Sequence, residues 1–425
     1  MSNYKIKIIL LNVGGIIIKK FILLLIFILP INIYASTNIK ARIGNNYYDT
    51  LEDAIEAASA LDTITILNDT KLDNTININK TININLNNNT IEADNKVFLI
   101  SGGSLNLTGK GTIKETKPEY GAIMLVGSTN SNDTNYSTVN VGSDITLEGW
   151  SGIFINHNNK KSYGVLVNMN GTINAVDDIN NDSGAGIYIN GNIKDSNNSP
   201  IINLSETSKI NSTGVGIYAA GYAIYNINGA YISGNNSALG IKSGIFNIMD
   251  GTIIGTGIDK TPTTGNNNGI NPSGVAIQIE SNPSYKGNIE LNINKGLIES
   301  KHSNVIYEYT TKNSPTKVKN ITLKGGTYKS NDNKDVFNLS SSFTNTHPKF
   351  ITGGKYSSDP TPYLKSGYST SLDNSLYEVT NNTMQTFLES NNSSNGSKYL
   401  KITITTVIAL GIIWIFIKLK NKIII

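Results

Sequence analysis

The sequence of 425 residues contains no cysteine, which excludes disulfide bonds and cysteine-ligated zinc sites. Arginine occurs once, at Arg42, and the three histidines are widely separated. The histidines, His157, His302 and His347, are too scattered to suggest a metal site. There is also no Gly-Gly-x-Gly-x-Asp repeat and no Asp-x-Asp-x-Asp-Gly loop, so no calcium motif is present.

Acidic residues are missing from both ends of the chain. Residues 1–40 and 398–425 each hold five lysines and no acid, whereas the whole chain has 35 basic and 31 acidic side chains. The body between the two ends is therefore net acidic. A nucleic-acid partner requires a concentrated basic face, so we expect no nucleic-acid partner.

The first apolar run has the pattern of an export signal. Lys19 and Lys20 precede the apolar stretch Phe21–Leu29, and Pro30 and a cleavage site after Ile33-Tyr34-Ala35 follow it. This order predicts a signal peptide over residues 1–35. The lack of cysteine fits an exported bacterial protein better than a secreted eukaryotic one.

The second apolar run, Ile402–Ile417, predicts a transmembrane helix over residues 401–418. The polar, low-complexity stretch 381–400 predicts a tether before it, and the lysine-rich stretch 419–425 predicts a cytoplasmic tail. We therefore expect a single-pass protein of the cell membrane whose body is extracellular.

A short glycine-containing phrase recurs through the body. Gly-Thr-Ile occurs at 111–113, 171–173 and 251–253, and the variant Gly229–Ile232 begins 22 residues before Gly251. Runs that alternate isoleucine with polar residues lie between these phrases and predict short strands. Glycine suits bends that need positive φ. The recurrence predicts a solenoid with three short strands per coil.

Asparagine accounts for 62 residues of the chain. The side-chain amide both donates and accepts hydrogen bonds, so stacked asparagines can form ladders from coil to coil. We expect such ladders at the corners of the coils.

An amphipathic helix precedes the coils, with Thr50 as its candidate N-cap. The segment YDTLEDAI (Tyr48–Ile55) followed by DTITIL (Asp62–Leu67) resembles the amino-terminal cap of pectin-lyase-like parallel β-helix proteins. The segment 351–380, which contains Gly-Gly-x-Tyr-Ser-Ser-Asp-Pro, resembles the closing segment of such proteins in low-GC Gram-positive bacteria.

The resemblance implies an all-β fold, a single-stranded right-handed parallel β-helix with a short N-terminal capping helix. The resemblance and the expected C-terminal transmembrane helix together divide the chain into segments. The N-terminal cap and first coils occupy 41–108, the remaining coils 109–350 and the C-terminal cap 351–380.

The resemblance also raises an enzyme hypothesis, because polysaccharide lyases and glycoside hydrolases share this fold. Such lyases use an arginine or lysine base beside bound calcium, but Arg42 lies in the expected cap. Such hydrolases carry Gly-His-Gly and Arg-Ile-Lys segments, which are absent, although Asp177 and Asp178 form an Asp-Asp pair. These two residues are the weak acid candidates if the chain is an enzyme. We expect no catalytic set, no cofactor and no metal site.

Tyrosines are the better candidates for ligand binding. Tyr188 and Tyr218 occupy the same place in two Gly-x-Gly-Ile-Tyr phrases, and Tyr225 and Tyr231 follow closely. On one outer face, these rings would form a platform for sugar rings. The alternative is that they stabilise adjacent coils or lie under a loop.

The sequence therefore favours a membrane-anchored, surface-exposed β-helix with a non-catalytic role. We expect adhesion, or recognition of an extracellular glycan or another host-surface molecule. Two alternatives stay open, a divergent polysaccharide lyase or glycoside hydrolase, and a passive spacer in the cell envelope.

Overall fold

The structure is a computed structural model that describes four stretches of the chain: 39–155, 161–194, 198–265 and 269–383. The predicted signal peptide, the predicted transmembrane helix and its basic tail lie outside these residues. Within the described stretches, no helix has the length and apolar character needed to cross a membrane.

The body consists of three parallel sheets, and each coil adds one strand to each sheet in turn. Sheet 3 contains ten strands, one per coil. Two long strands, Ile224–Gly234 and Gly244–Gly255, run from sheet 1 through the corner into sheet 2.

The strand bounds follow the coils along the chain. Sheet 1 contains the first halves of the two long strands together with Thr63–Ile66, Thr81–Asn85, Ser104–Thr108, Ser137–Val141, Val165–Met169, Ile201–Leu204, Ile289–Ile293 and Val318–Leu323. Sheet 2 contains their second halves together with Thr70–Leu72, Thr90–Ala93, Gly111–Glu115, Ile145–Gly149, Thr172–Ala175, Lys209–Ser212, Leu297–Ser300, Thr327–Ser330 and Gly354–Tyr356. Sheet 3 contains Ile76–Ile78, Phe98–Ser101, Ile123–Val126, Ile153–Ile155, Ala185–Asn190, Val215–Ala220, Ser237–Ile241, Val275–Ser281, Ile306–Thr310 and Phe337–Asn338.

Successive coils are stacked in register, so a side chain meets its counterpart in the next coil. Ile82 pairs with Leu105, which pairs with Val139, and all three are fully buried. Alternate residues of each strand point inward and bury apolar surface, which is the main stabilising contribution to such a stack. The prediction of an all-β parallel solenoid is confirmed at this level. Its right-handedness and its membership of the pectin-lyase-like type stay predictions.

Glycine is required where sheet 2 begins in the later coils. Gly296 has φ +115° and Gly326 has φ +94°, values that side-chain-bearing residues rarely adopt. A Cβ at Gly296 would lie 2.6 Å from the carbonyl oxygen of Gly251 in the preceding coil. The recurring glycine of the sequence thus marks a bend that also lets neighbouring backbones approach closely.

The first two strands run antiparallel to their neighbours, whereas the strands of successive coils are parallel. Ala41–Ile43 and Asn46–Tyr48 form a hairpin, and Ala41–Ile43 pairs antiparallel with Thr63–Ile66. The helix Leu51–Ala57 follows, and the Thr50 hydroxyl accepts a hydrogen bond from the Asp53 amide at 3.1 Å. A helix at this position was predicted, and its role as a cap stays a prediction.

Antiparallel pairing also occurs at the last coil. Gly354–Tyr356 pairs with Leu376–Asn381, which forms a hairpin with Tyr368–Asp373. The helix Ser341–Thr346 and the 3₁₀ helix Thr361–Tyr363 lie in the same region. Reversal of direction at both ends of the parallel stack limits further parallel pairing.

A ladder of asparagine amides runs along the outer face of sheet 1. In each step the Nδ2 of one residue donates to the Oδ1 of the residue in the preceding coil, at 2.5 to 3.2 Å. The ladder consists of Asn83, Asn106, Asn140, Asn168, Asn203, Asn226, Asn247 and Asn292. Asparagine ladders were predicted at corners, but this one lies in the middle of the strands, because in-register stacking aligns any repeated position.

We predict that Asn203→Ala lowers the free energy of unfolding by about 1–2 kcal/mol, since it removes two ladder hydrogen bonds. Denaturant unfolding followed by circular dichroism measures the change. Asn228→Ala is the matched control, because Asn228 is exposed and lies outside the ladder. Equal effects of the two substitutions would show that the ladder contributes nothing.

Candidate ligand-binding cleft on sheet 3

Sheet 3 lies between the long connections of the solenoid. The chain passes from sheet 1 to sheet 2 in short turns, such as 109–110 and 170–171. The long connections instead flank sheet 3, before its strands at 116–122, 176–184 and 256–274, and after them at 127–136 and 282–288. Binding residues usually lie on loops that a rigid scaffold positions, so a ligand-binding site is expected on sheet 3.

An aromatic column occupies the outer surface of sheet 3. Phe154, Tyr188 and Tyr218 are in register in three successive coils. Their ring centroids are 4.8 and 4.9 Å apart, and the two tyrosine rings are tilted by only 3°. The coil spacing therefore imposes ring stacking, and each ring covers the face of its neighbour. Tyr188 and Tyr218 lie together as predicted, but they offer edges rather than open faces to a ligand.

Trp150 lies beside this column and is positioned by a buried acid. Its ring centroid is 5.2 Å from that of Tyr188, with a tilt of 56°. The Glu115 carboxylate accepts hydrogen bonds from the backbone amides of Trp150 at 3.2 Å and Tyr120 at 3.0 Å. Burial raises the pKa of Glu115, and these backbone amides oppose the shift. The Trp150 Nε1 is buried and has no hydrogen-bond partner in the described part of the chain.

These residues line a cleft of about 370 Å³. Its aromatic lining is completed by polar side chains from the loops, so that the principal lining residues are Trp150, Asp182, Tyr188, Tyr218, Asn236 and Asn271. Among the described side chains of the lining, Asp182 is the single charged residue. A concave site with aromatic walls and a few convergent polar groups is the typical form of a small-ligand site.

A hairpin walls one side of the cleft and is held by buried polar groups. Thr263–Gly265 pairs with Gly269–Asn271. The Ile270 amide donates to the Glu280 carboxylate at 3.3 Å, and its carbonyl accepts a hydrogen bond from Gln278. The hairpin therefore places Asn271 through contacts with the sheet beneath it.

Glu280 also forms a buried ion pair with Lys242, at 2.5 Å, and both side chains are almost completely inaccessible. The Lys242 ammonium lies 5.4 Å from the ring centroid of Tyr218 and 5.1 Å from that of Tyr285. Burial lowers the pKa of Lys242, and Glu280 opposes part of that shift. The pair thus connects the hairpin to the aromatic column.

Lys317 fixes the loop that covers Tyr218. Its ammonium donates to the carbonyl oxygens of Tyr285 at 2.7 Å and Lys242 at 3.0 Å. Burial lowers the pKa of Lys317 to about 8. Tyr285 packs against Tyr218, which is only 8% exposed. The tyrosine therefore lies under a loop, as one of the two sequence interpretations proposed.

The predicted acid pair lies in the loop that borders the cleft. The Asp178 carboxylate accepts hydrogen bonds from the backbone amides of Asn180 at 2.8 Å and Asp182 at 2.7 Å, which closes a turn. Asp177 is exposed on the same loop. Asp182, rather than Asp177 or Asp178, contributes to the cleft lining.

The remaining tyrosines do not join this column. Tyr231 lies on sheet 2, in register with Lys209 and Thr252, and the Lys209 ammonium is 5.7 Å from its ring centroid. Tyr225 points inward, is fully buried and stacks on Phe246 at 4.1 Å. The expected outer platform thus contains Tyr188 and Tyr218 but neither of these two residues.

Sequence reasoning missed Trp150, Asn236, Asn271 and the Lys242–Glu280 pair. Trp150 could have been found, because the chain has only two tryptophans and the other, Trp414, lies in the C-terminal apolar run. The other residues gave no signal, since their proximity depends on coil lengths that vary along the chain. Within the described stretches, no three histidine, aspartate or glutamate side chains gather into a group able to hold a metal ion.

Comparison of the chain with protein families, with curated proteins and with solved structures found no match.

We predict that Lys242→Met and Glu280→Leu each lower the free energy of unfolding by about 3–5 kcal/mol, because each leaves one buried charge unpaired. The double variant should be more stable than either single variant, since it buries no charge. Denaturant unfolding of the three variants measures this. A double variant whose loss equals the sum of the two single losses would contradict the coupling.

We predict that Lys317 stabilises the fold increasingly above pH 8. Its folded pKa of about 8 lies below the ordinary value of 10.5, so the unfolded chain binds more protons between these values. Stability contributed by this group therefore rises with pH over that range. The melting temperature of the wild type relative to Lys317→Met should increase from pH 8 to pH 10.

Lys329→Met is the control for this pH dependence, because Lys329 is exposed. Its melting temperature relative to the wild type should not change over the same range. A flat difference for Lys317→Met as well would show that the lysine is not buried in solution.

Proposed function

We propose that this chain binds an extracellular glycan in the cleft on sheet 3 and has no catalytic role. The lining of the cleft supports glycan binding, because Trp150 and the edges of Tyr188 and Tyr218 adjoin an aspartate and two asparagine amides. Sugar rings present apolar C–H faces and many hydroxyl groups, which match aromatic surfaces and amide or carboxylate partners.

The Trp150 N–H is buried without an acceptor in the described part of the chain, which costs about 1–3 kcal/mol. Because Nε1 has no accessible surface in this arrangement, the indole would have to turn toward the cleft before a ligand hydroxyl accepts from it. Binding of such a ligand would then recover part of the cost.

The charge of the lining favours a neutral or amine-bearing glycan over a polyuronate. Asp182 is exposed and is the only charged group among the lining residues that the structure describes. The nearest described ammonium beside the tyrosine column, that of Lys242, is already paired with Glu280. A carboxylate-bearing sugar would meet repulsion from Asp182 without a compensating cation.

The arrangement of candidate bases supports binding without catalysis. Arg42 donates to the Gly44 carbonyl at 2.9 Å in the first hairpin. Lys242 and Lys317 are engaged in buried contacts, and Asp178 closes a turn. General acid–base catalysis requires a group free to transfer a proton within hydrogen-bond reach of the substrate, and each of these groups has another role.

The proposed location is the cell surface, with the chain anchored in the membrane. The predicted signal peptide and transmembrane helix support it, and both lie outside the described residues. An anchored solenoid would hold sheet 3 and its loops away from the membrane, where a polymer of the host or of the cell envelope is accessible.

We predict that Trp150→Ala weakens glycan binding at least tenfold, because stacking and a hydrogen-bond donor are lost together. Binding of the full-length chain in detergent to chitin, chitosan, β-glucan and polygalacturonate is measured by co-sedimentation. Tyr231→Ala is the matched control, since this tyrosine lies on sheet 2. Asp182→Asn should weaken binding of chitosan more than binding of neutral polymers.

Equal binding by Trp150→Ala and the wild type would refute the cleft as the binding site. Release of reducing or unsaturated ends from any polymer would favour the enzyme alternative instead. A chain that binds none of the polymers and releases no ends would fit a passive spacer.

A further inference from the structure

The outer face of sheet 1 carries no charged side chain over its first eight parallel strands, and Arg42 of the antiparallel strand beside them, in register with Thr65, lies at its edge. The outward residues of these strands are Thr63, Thr65, Thr81, Asn83, Asn85, Ser104, Asn106, Thr108, Thr138, Asn140, Leu166, Asn168, Ile201, Asn203, Ile224, Asn226, Ile245 and Asn247. We call this surface the neutral face. Sheet 2 differs, since its outward residues include Lys71, Glu92, Lys114 and Glu148.

An aliphatic stripe runs along the neutral face beside the asparagine ladder. Leu166, Ile201, Ile224 and Ile245 follow one another in register in four successive coils. Each points outward and remains partly accessible. Met249, just beyond the strand residues of this face, is 50% exposed. Contiguous accessible apolar side chains on a flat surface are typical of an interaction site.

The asparagine ladder leaves hydrogen-bonding capacity that faces outward. Each internal amide uses one N–H to reach the preceding coil and one oxygen lone pair to accept from the next. The amide group has a second N–H and a second lone pair. The ladder therefore offers donors and acceptors in alternation, at a spacing of about 4.8 Å.

We propose that the neutral face is an interface between two copies of this chain. A surface that combines an aliphatic stripe with donors and acceptors of equal number is complementary to itself. It meets no charge repulsion when it is paired with an identical surface. A two-fold dimer uses the same patch on both copies and requires this kind of self-complementarity.

The size of the neutral face also fits a dimer. Eight strands spaced at about 4.8 Å and about 16 Å long give roughly 600 Å² per copy. A pair buries roughly 1,200 Å², above the ~1,000 Å² that specific interfaces exceed. The expected dimer is therefore weak in dilute solution and favoured where copies are concentrated on a membrane.

The test is the mass of the full-length chain in detergent, measured by sedimentation equilibrium over a range of concentrations. The wild type should form a dimer. Ile224→Lys should raise the dissociation constant more than tenfold, because two-fold symmetry places the new charge in the interface twice. Thr146→Lys, at an outward position of sheet 2, should leave the dissociation constant unchanged.

Single cysteines give a second readout that does not depend on that substitution. The chain has no cysteine, so any thiol-linked dimer must form through an introduced residue. Asn203→Cys on the neutral face should be linked by a bismaleimide reagent. Asn211→Cys should not, although Asn211 lies in the same coil and takes part in an equivalent amide hydrogen bond on sheet 2.

A wild type that is monomeric at every concentration, or equal linking of the two cysteine variants, would overturn the proposal. So would a dimer that Ile224→Lys leaves intact. If the wild type is monomeric and Ile224→Lys instead reduces binding to a polymer, the neutral face belongs to a glycan partner rather than to a second copy.

Discussion

The structure depends on parallel, in-register stacking of successive coils. Because each strand pairs with the same strand of the next coil, a side chain in a regular stretch contacts its counterpart about 4.8 Å away. Isoleucine therefore packs on isoleucine inside, as in the Ile153–Ile187–Ile217 column of sheet 3. The same constraint acts outside, where Asn203 meets Asn168 and Tyr218 meets Tyr188. A residue type that recurs at the same position of successive coils therefore forms a continuous column.

The three outer faces differ because different residues repeat on each. Sheet 1 repeats asparagine beside aliphatic residues, sheet 2 repeats threonine with charged residues, and sheet 3 repeats aromatic rings. Long connections lie on both sides of sheet 3, so its aromatic column is partly covered and a cleft forms at Trp150. The chain can therefore use one face for a ligand and another for contact with a second copy.

Much of the fold could be predicted from periodicity, because the isoleucine alternation recurs along the coils and the glycine phrase marks many of them. The helix after Thr50 and the shared position of Tyr188 and Tyr218 were predicted for the same reason. The cleft could not be predicted, since it depends on loops of irregular length. Tyr225 illustrates the limit, because it follows Tyr218 by only seven residues but lies on sheet 1 and points inward. Lys242 and Glu280 meet because the residues before them, Ile241 and Ile279, pair in register on neighbouring strands of sheet 3.

Hydrogen–deuterium exchange of the full-length chain, with and without bound chitosan oligosaccharide, can show whether ligand binding is confined to the cleft on sheet 3. If binding is confined there, exchange should slow in 116–121, 176–184 and 269–272, which surround Trp150 and Asp182, and should not change in the strands of sheets 1 and 2. Protection along sheet 1 or sheet 2, with none in the loops around sheet 3, would contradict binding in the cleft.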